Sequence, residues 1–459
     1  MGTPDLQHLA NMRIHFESGI TRPYAFRKQQ LLSLKKTILQ HEKGIYDALY
    51  SDLKKNPEES YATEIGMVLG ELNAALKNLR DWMQPQRVGT DLVNFPSSST
   101  IYRDPLGVVL IISPWNYPLQ LLLNPLVSAI AGGNCAIVKP SEFAPATAAI
   151  IERICNEIFP REYVYVVQGD GAEIVPAIMK SFRVDHLFYT GSIPVGKAIY
   201  QMAAENLIPV TLELGGKSPC IVEPDADLGV AARRIVLGKF VNAGQTCIAP
   251  DYLLVHQSVK DALVEKMKES IEKFYSADAS NSYEYGKIIN EKRFDKLLSY
   301  LGEGNIVEGG QHDRTKLFIA PTIVENVSID SSLMKEEIFG PIFPVITYQT
   351  TEEAMQVVKQ NPNPLAFYLF TKNKKTQKQW LDSVAFGGGC INNTDWHFSN
   401  PQLPFGGVGS SGMGAYHGKA GFDTFTRPKS VLKTPNWFDL YIKYPPFKGR
   451  LKLFKWLIR

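Results

Sequence analysis

Cysteine is scarce in this 459-residue chain: five residues, at 135, 155, 220, 247 and 390, an odd number with no C-x-x-C spacing. That argues against a disulfide framework or a zinc knuckle and predicts a reducing, cytoplasmic setting. Long apolar runs are also lacking. The richest stretch, Leu119 to Val138, approaches membrane-spanning length but carries Asn124, Pro125, Gly132, Gly133 and Asn134; it reads as a core helix, a turn and a strand. The N-terminus has neither an export signal nor a myristoylation pattern. Net charge is only +3, and six basic side chains with no acid lie between Tyr441 and Arg459, so the remainder sums to −3. No nucleic-acid partner is expected from such a balance. No G-x-S-x-G and no histidine spacing of the H-E-x-x-H kind occurs, so no metal is expected and cysteine and carboxylate chemistry remain.

What is present is ordinary for a large globular protein: 44% apolar and 21% charged residues, with length enough for about three domains. Residues 21 to about 85 read as two long helices, with Ile65, Val68, Leu69, Leu72, Leu76 and Leu79 on one buried face. Residues 88–105 are extended, polar and turn-rich, which predicts a protruding hairpin that meets a partner. From Gly107 onward, GVVLIIS, CAIVK, YVYVV and HLFYT alternate with helical patterns. The alternation predicts a doubly wound α/β sheet with ligands at the carboxyl ends of its strands. A second α/β series is expected from Pro209, starting with VTLEL and running to GGGCIN at 387–392, as a second domain across a cleft.

Two glycine motifs need sorting. Gly407-Val-Gly409-Ser-Ser-Gly412 fits G-x-G-x-x-G but follows Leu403-Pro404-Phe405 rather than an apolar strand, so it is a poor dinucleotide fingerprint. Gly191 to Lys197 fits G-x-x-x-x-G-K with Gly196 in place, yet Ala198 stands where a magnesium-binding hydroxyl is required. Its Gly191-Ser192 turn between strand and helix suits either a phosphate on the helix N-terminus or a simple connection. Cys247, in NAGQTCIAP, has small neighbours that leave room at the sulfur; a free thiol near pKa 8.5 needs a base or a positive potential to act as nucleophile. The alternative is a buried small side chain. Glu213, one residue before a Leu-Gly-Gly turn, sits at a strand's carboxyl end, where it either activates water or the thiol or pairs with Lys217. Asn116, after GVVLIIS, either donates to an oxyanion or is a turn asparagine.

LELGGKSP, whose Glu213 stands thirty-four positions before the Cys247 of NAGQTCIAP, is with it similar to the signature pair of the aldehyde dehydrogenase superfamily. SPWNYP, IVKPSE, FYTGS-x-x-x-G, KEEIFGP and LPFGGVGSSGMGAYHGKAGFDTFT resemble further landmarks in the same order, and the last of them with KYPPFKG resembles the class 3, fatty aldehyde dehydrogenase-like branch. The resemblance implies a Rossmann-like cofactor domain lacking G-x-G-x-x-G, an α/β catalytic domain and a hairpin arm that assembles homodimers. It divides the chain into residues 1–87 and 105–210 for NAD(P), 211–415 for catalysis, 88–104 and 416–440 for the arm, and 441–459 as a tail. It implies NAD(P)-dependent oxidation of medium- to long-chain aliphatic or aromatic aldehydes to acids, with Cys247 as nucleophile, Asn116 at the oxyanion and Glu213 activating water. Lys139 and Glu142 match the adenosine-ribose positions, Gly191, Ser192 and Gly196 the pyrophosphate turn, and Glu337 and Phe339 the nicotinamide side. Glu142 would accept from a free 2′-hydroxyl and repel a 2′-phosphate unless it swings away, so NAD is favoured and NADP allowed.

In the tail, Lys452, Lys455 and Arg459 share one arc of a helix, with Leu453, Phe454, Leu457 and Ile458 opposite. Such a segment either lies peripherally on an anionic membrane or docks its apolar face on a partner subunit or over the substrate tunnel.

Overall fold

Short runs of wholly buried residues form the centre of the first sheet, in a computed structural model that describes residues 6–457. Val108–Ile112, Cys135–Lys139, Val164–Val166, His186–Gly191 and Val210–Leu214 run parallel. Val108–Ile112 is central, with the next two strands on one side and the last two on the other. The chain order therefore reverses between Val108–Ile112 and His186–Gly191, and the crevice beyond their carboxyl ends is where a doubly wound sheet binds its ligand. Residues 113–116 and Gly191-Ser192 emerge there. Both faces of this sheet are covered, among others by the helix Gln120–Gly132, whose residues are all buried, so its strands read as continuous apolar runs instead of alternating ones.

The second sheet holds Asn305–Glu308, Thr322–Glu325, Ile342–Tyr348, Tyr252–His256, Pro219–Val222, Ala366–Phe370 and Gly388–Ile391 in that spatial order, parallel except at the first edge. One boundary moves. The strand Val210–Leu214, expected to open the second series, pairs with His186–Gly191 and closes the first sheet instead, with Gly412–Met413 antiparallel at its outer edge. An apolar run beside a Gly-Gly turn gives no hint of which of two sheets will claim it. The second series starts at Pro219.

Residues 21–85 are more broken than two helices: Tyr24–Gln40, Glu42–Leu53 and Gly66–Trp82, with the short turns Pro57–Ser60 and Tyr61–Ile65 between the last two. Lys54 ends the second in the left-handed region (φ 56), and Asn56 accepts from the Glu59 N–H at 2.7 Å to start the next turn. The extended segment is an antiparallel sheet of Gln86–Val88, Ser98–Pro105 and Thr426–Lys433. Its last strand is exposed from Arg427 to Lys433. The arm's second part starts later than residue 416, because Gly418–Thr424 is a helix whose Phe422 packs against Trp82 and whose first N–H donates to Glu71 at 2.7 Å. In the tail, Leu451–Leu457 is a short helix; Lys452, Lys455 and Trp456 are exposed, Leu453 and Phe454 half-buried. Ile458 and Arg459 lie outside the described residues. Among those described, no helix is long and apolar enough to cross a membrane.

Candidate active site

Cys247 owes its position to a strained turn. The helix Leu228–Phe240 begins on Asp227, which accepts from the Val230 N–H at 3.0 Å. It is followed by Asn242, Ala243 and Gly244 with φ of 52, 51 and 72. For the two non-glycine residues this costs about 1–2 kcal/mol each, sustained only where surroundings over-determine the conformation. They do so here. The Asn242 amide donates to the Asn116 carbonyl at 2.9 Å and its N–H to Glu59 at 3.1 Å. Gln245 donates to the carbonyls of Asn242 and Lys287 at 3.0 and 2.9 Å and accepts from the Ile289 N–H at 3.0 Å.

The sulfur so placed forms part of the wall between two cavities. One, of about 530 Å³, is largely apolar and aromatic, with Leu121, Phe274, Trp396 and Phe405 among its lining residues. The other, of about 200 Å³, is lined by Asn116, Gly191, Ser192, Glu213, Glu337 and Phe339, among others. Cys247 belongs to both. Six of the ten residues singled out as candidates thus meet in one crevice with the thiol. The remaining three lie apart from both cavities. Lys139 and Glu142 form an ion pair past the end of the neighbouring strand, where Glu142 also accepts from the Gly171 N–H at 3.1 Å. Gly196 is buried in the helix Ile193–Glu205, where a Cβ would come within 2.6 Å of Leu214; its place is helix-on-strand packing.

Asn116 is buried and its amide donates to the Gln245 carbonyl at 3.0 Å. That bond uses one of the two amide hydrogens. The loop that carries it is clamped from beneath by a pair that sequence reasoning missed. Lys55 and Glu64, both fully buried, form an ion pair at 2.8 Å. The Lys55 ammonium donates to the Asn116 carbonyl at 2.9 Å and lies 3.9 Å from the Tyr117 ring centroid, while Glu64 accepts from the Leu119 and Gln120 N–H groups at 3.1 and 2.9 Å. Tyr117 and Thr246 share a hydroxyl hydrogen bond of 2.7 Å, tying this loop to the residue before Cys247. The signal in sequence was slight: a lysine and a glutamate near an otherwise apolar helical face.

Glu213 is buried, and neither carboxyl oxygen has a hydrogen-bond partner. Burial alone holds its pKa well above the usual carboxylate range. The alternative pairing with Lys217 is not made, because Lys217 binds Asp251 and the Leu333 carbonyl. Burial also raises the Cys247 thiol, with smaller contributions from the Glu337 and Glu213 carboxyls. Glu337, pushed up to about 8 by burial and by Asp251, accepts from the Gly216 N–H at 3.2 Å. Cys135, Cys155 and Cys220 are buried, their thiols raised by the same desolvation, in keeping with core roles.

The crevice has the features a dinucleotide asks for. A Cβ at Gly215 would fall 2.1 Å from a Glu337 oxygen, and one at Gly191 2.3 Å from the Tyr189 hydroxyl, so the backbone comes close at both positions. Ser192 stands at the N-cap of the helix Ile193–Glu205 without a side-chain bond to the helix, so the terminal N–H groups could hold a phosphate. Among the described residues no group of three His, Cys, Asp or Glu side chains could hold a metal ion.

A doubly wound sheet and a second, mostly parallel α/β sheet thus carry between them a cysteine that lines two cavities. The sequence model of the aldehyde dehydrogenase family matches residues 11–431; the chain belongs to that family, oxidoreductases that oxidise aldehydes. It is 47% identical over 451 residues to the 4,4'-diaponeurosporen-aldehyde dehydrogenase of Staphylococcus aureus, spanning 98% of each chain. With the dimeric NADP-preferring aldehyde dehydrogenase of Mus musculus it shares 43% over 438 residues, 95% of this chain and 96% of the other. The solved substrate-bound state of Staphylococcus aureus AldH aligns with a TM-score of 0.96 at 45% identity over 99% of both chains.

Proposed function

We propose that the protein oxidises medium- to long-chain aliphatic or aromatic aldehydes to carboxylic acids with NAD(P), through acyl chemistry on Cys247. The observation that carries this reading is a thiol that lines both a large apolar cavity and a smaller one holding Asn116, Glu213 and Glu337. The aldehyde takes the apolar side. NAD(P) takes the smaller cavity and, when bound, supplies the hydride acceptor. Lys139 and Glu142 would hold the adenosine ribose, Gly191 and Ser192 the pyrophosphate, and Glu337 and Phe339 the nicotinamide end. A carboxylate at Glu142 suits an unmodified 2′-hydroxyl better than a 2′-phosphate, so NAD is the preferred form and NADP the weaker one.

The Cys247 thiol gives its proton to the Glu213 carboxylate, which passes it on to solvent, and the thiolate attacks the aldehyde carbon to give a thiohemiacetal whose oxyanion is held by the free Asn116 amide hydrogen and the Cys247 backbone N–H. Oxidation leaves a thioester on the same sulfur. Glu213 then takes a proton from water, the hydroxide adds to the thioester carbon, and the acid leaves as the thiol is regenerated. The buried, unpaired Glu213 supports transfer to water over transfer to coenzyme A. The exposed three-stranded arm and the dimeric relative support a homodimer. For the tail, half-buried Leu453 and Phe454, with Phe454 against Phe447 at 5.7 Å, support docking on protein more than peripheral contact with lipid.

The test is reduced-nicotinamide absorbance with hexanal to hexadecanal and benzaldehyde, using NAD and NADP in parallel, for the wild type and Cys247→Ala. Turnover that vanishes in the variant is expected; surviving turnover would overturn the nucleophile assignment.

A further inference from the structure

The aldehyde-side cavity has an uneven distribution of charge. Its ionisable side chains include four carboxyls, Glu58, Glu59, Glu284 and Asp395, and no lysine, arginine or histidine. Glu58 and Glu284 are exposed, Glu59 and Asp395 lie deeper. Of the buried cations behind the lining, Lys55 is paired with Glu64, while Lys239, over the Phe343 ring and without a hydrogen-bond partner, acts on Asp395. An anionic tail entering here would lose its hydration and meet carboxyls but no cation in the lining.

Asp395 is the deep carboxyl nearest the chemistry. It stands in the left-handed region (φ 57), backbone strain of the kind that collects at functional sites. The turn is pinned by the Thr394 hydroxyl, which donates to the Arg234 carbonyl at 2.7 Å. It fits against the helix Leu228–Phe240 only because residue 238 is glycine: a Cβ there would lie 2.6 Å from the Asp395 Oδ2 and 2.4 Å from the Thr394 Oγ1. The Tyr368 hydroxyl lies 2.6 Å from the Ile248 carbonyl and 3.0 Å from the Asp395 Oδ1. The phenol can donate to either oxygen, and burial pushes the Asp395 pKa up to about 8 against the opposing pull of that hydroxyl and of Lys239.

We infer that this cavity selects its aldehyde by charge, rejecting anionic tails, accepting neutral ones and giving cationic ones a counter-charge, with Asp395 as the specificity-determining residue closest to Cys247. The inference rests on the reading that the apolar cavity takes the aldehyde. A unit charge about 8 Å away at an effective dielectric near 20 changes kcat/KM by about 30-fold.

Three aldehydes of one shape test it: benzaldehyde, 4-formylbenzoate and 4-formylphenyltrimethylammonium. In the wild type, 4-formylbenzoate should fall about 30-fold or more below benzaldehyde in kcat/KM, and the cation should stay within a few-fold of it. In Asp395→Asn the ratio of cation to benzaldehyde should drop by about tenfold, and in Glu58→Gln/Glu284→Gln the penalty on 4-formylbenzoate should shrink. Ratios within one enzyme are unaffected by the fraction that folds. Benzaldehyde turnover with no charge discrimination, or ratios unchanged in Asp395→Asn, would overturn the charge selection and leave the proposed function standing. No turnover of benzaldehyde or of any straight-chain aldehyde would overturn both.

Discussion

Lys55→Met should damage both the fold and the reaction, and by separable amounts. The lysine and its partner Glu64 are both fully buried, so the substitution leaves Glu64 as a carboxylate with two backbone N–H donors and no cation. Breaking a buried pair in this way costs about 3–5 kcal/mol. For a chain of 459 residues, an unfolding entropy of about 2.1 cal/mol/K per residue makes that a drop of about 3–5 °C in Tm. Scans at one fixed rate keep the comparison valid if unfolding is irreversible. The same ammonium holds the Asn116 carbonyl, and a displacement of the oxyanion loop by ~1 Å lowers kcat by about 100-fold with little change in KM for the cofactor. Adding Glu64→Gln removes the stranded charge while keeping an acceptor for Leu119 and Gln120. The double variant should therefore regain most of the lost Tm and little of the lost kcat. A Lys55→Met enzyme within 1 °C and within threefold of wild type, by this estimate, would refute the clamp; so would kcat recovering together with Tm in the double variant.

Glu213→Gln should leave the thioester to hydrolyse about 10²- to 10⁴-fold more slowly, with an acyl-enzyme visible by mass spectrometry in single-turnover experiments. In the wild type that step should quicken as pH rises through the raised Glu213 pKa; an equally steep profile in the variant would refute the general-base role. The sign for stability is opposite. A carboxyl whose folded pKa exceeds its unfolded one is progressively destabilising as pH climbs above the ordinary carboxylate value, so Glu213→Gln should match wild-type Tm near pH 4 and exceed it near pH 8. Gly215→Ala should raise the NAD(P) dissociation constant by about tenfold or more, since its Cβ, 2.1 Å from Glu337, forces that carboxyl off the Gly216 N–H and into the smaller cavity. Quenching of tryptophan fluorescence on titration with cofactor measures this, and an unchanged dissociation constant would refute the fit.

The features legible in sequence were those fixed by contiguous residues. Alternating apolar runs announced the parallel sheets because each strand is buried on both faces, and the turns holding Asn116, Glu213 and Cys247 were legible because strand ends and small neighbours mark a rim. Three things were not legible, for one reason: each depends on residues far apart in sequence sharing a single buried volume. The strand Val210–Leu214 went to the first sheet because of its partners at residues 187–191, which no local pattern encodes. Lys55 and Glu64 lie in a helical stretch whose local pattern does not show that residues 116–120 close over them. Asp395 meets Gly238 and Tyr368, which lie 157 and 27 positions away. Burying a charge without a partner costs more than most single contacts contribute, so the buried polar groups that persist must have partners or a use. Lys55 and Glu64 have partners. Glu213 has none, and its unsatisfied carboxyl beside a cysteine is the physical reason to look for its function in the chemistry of the crevice instead of in the stability of the fold.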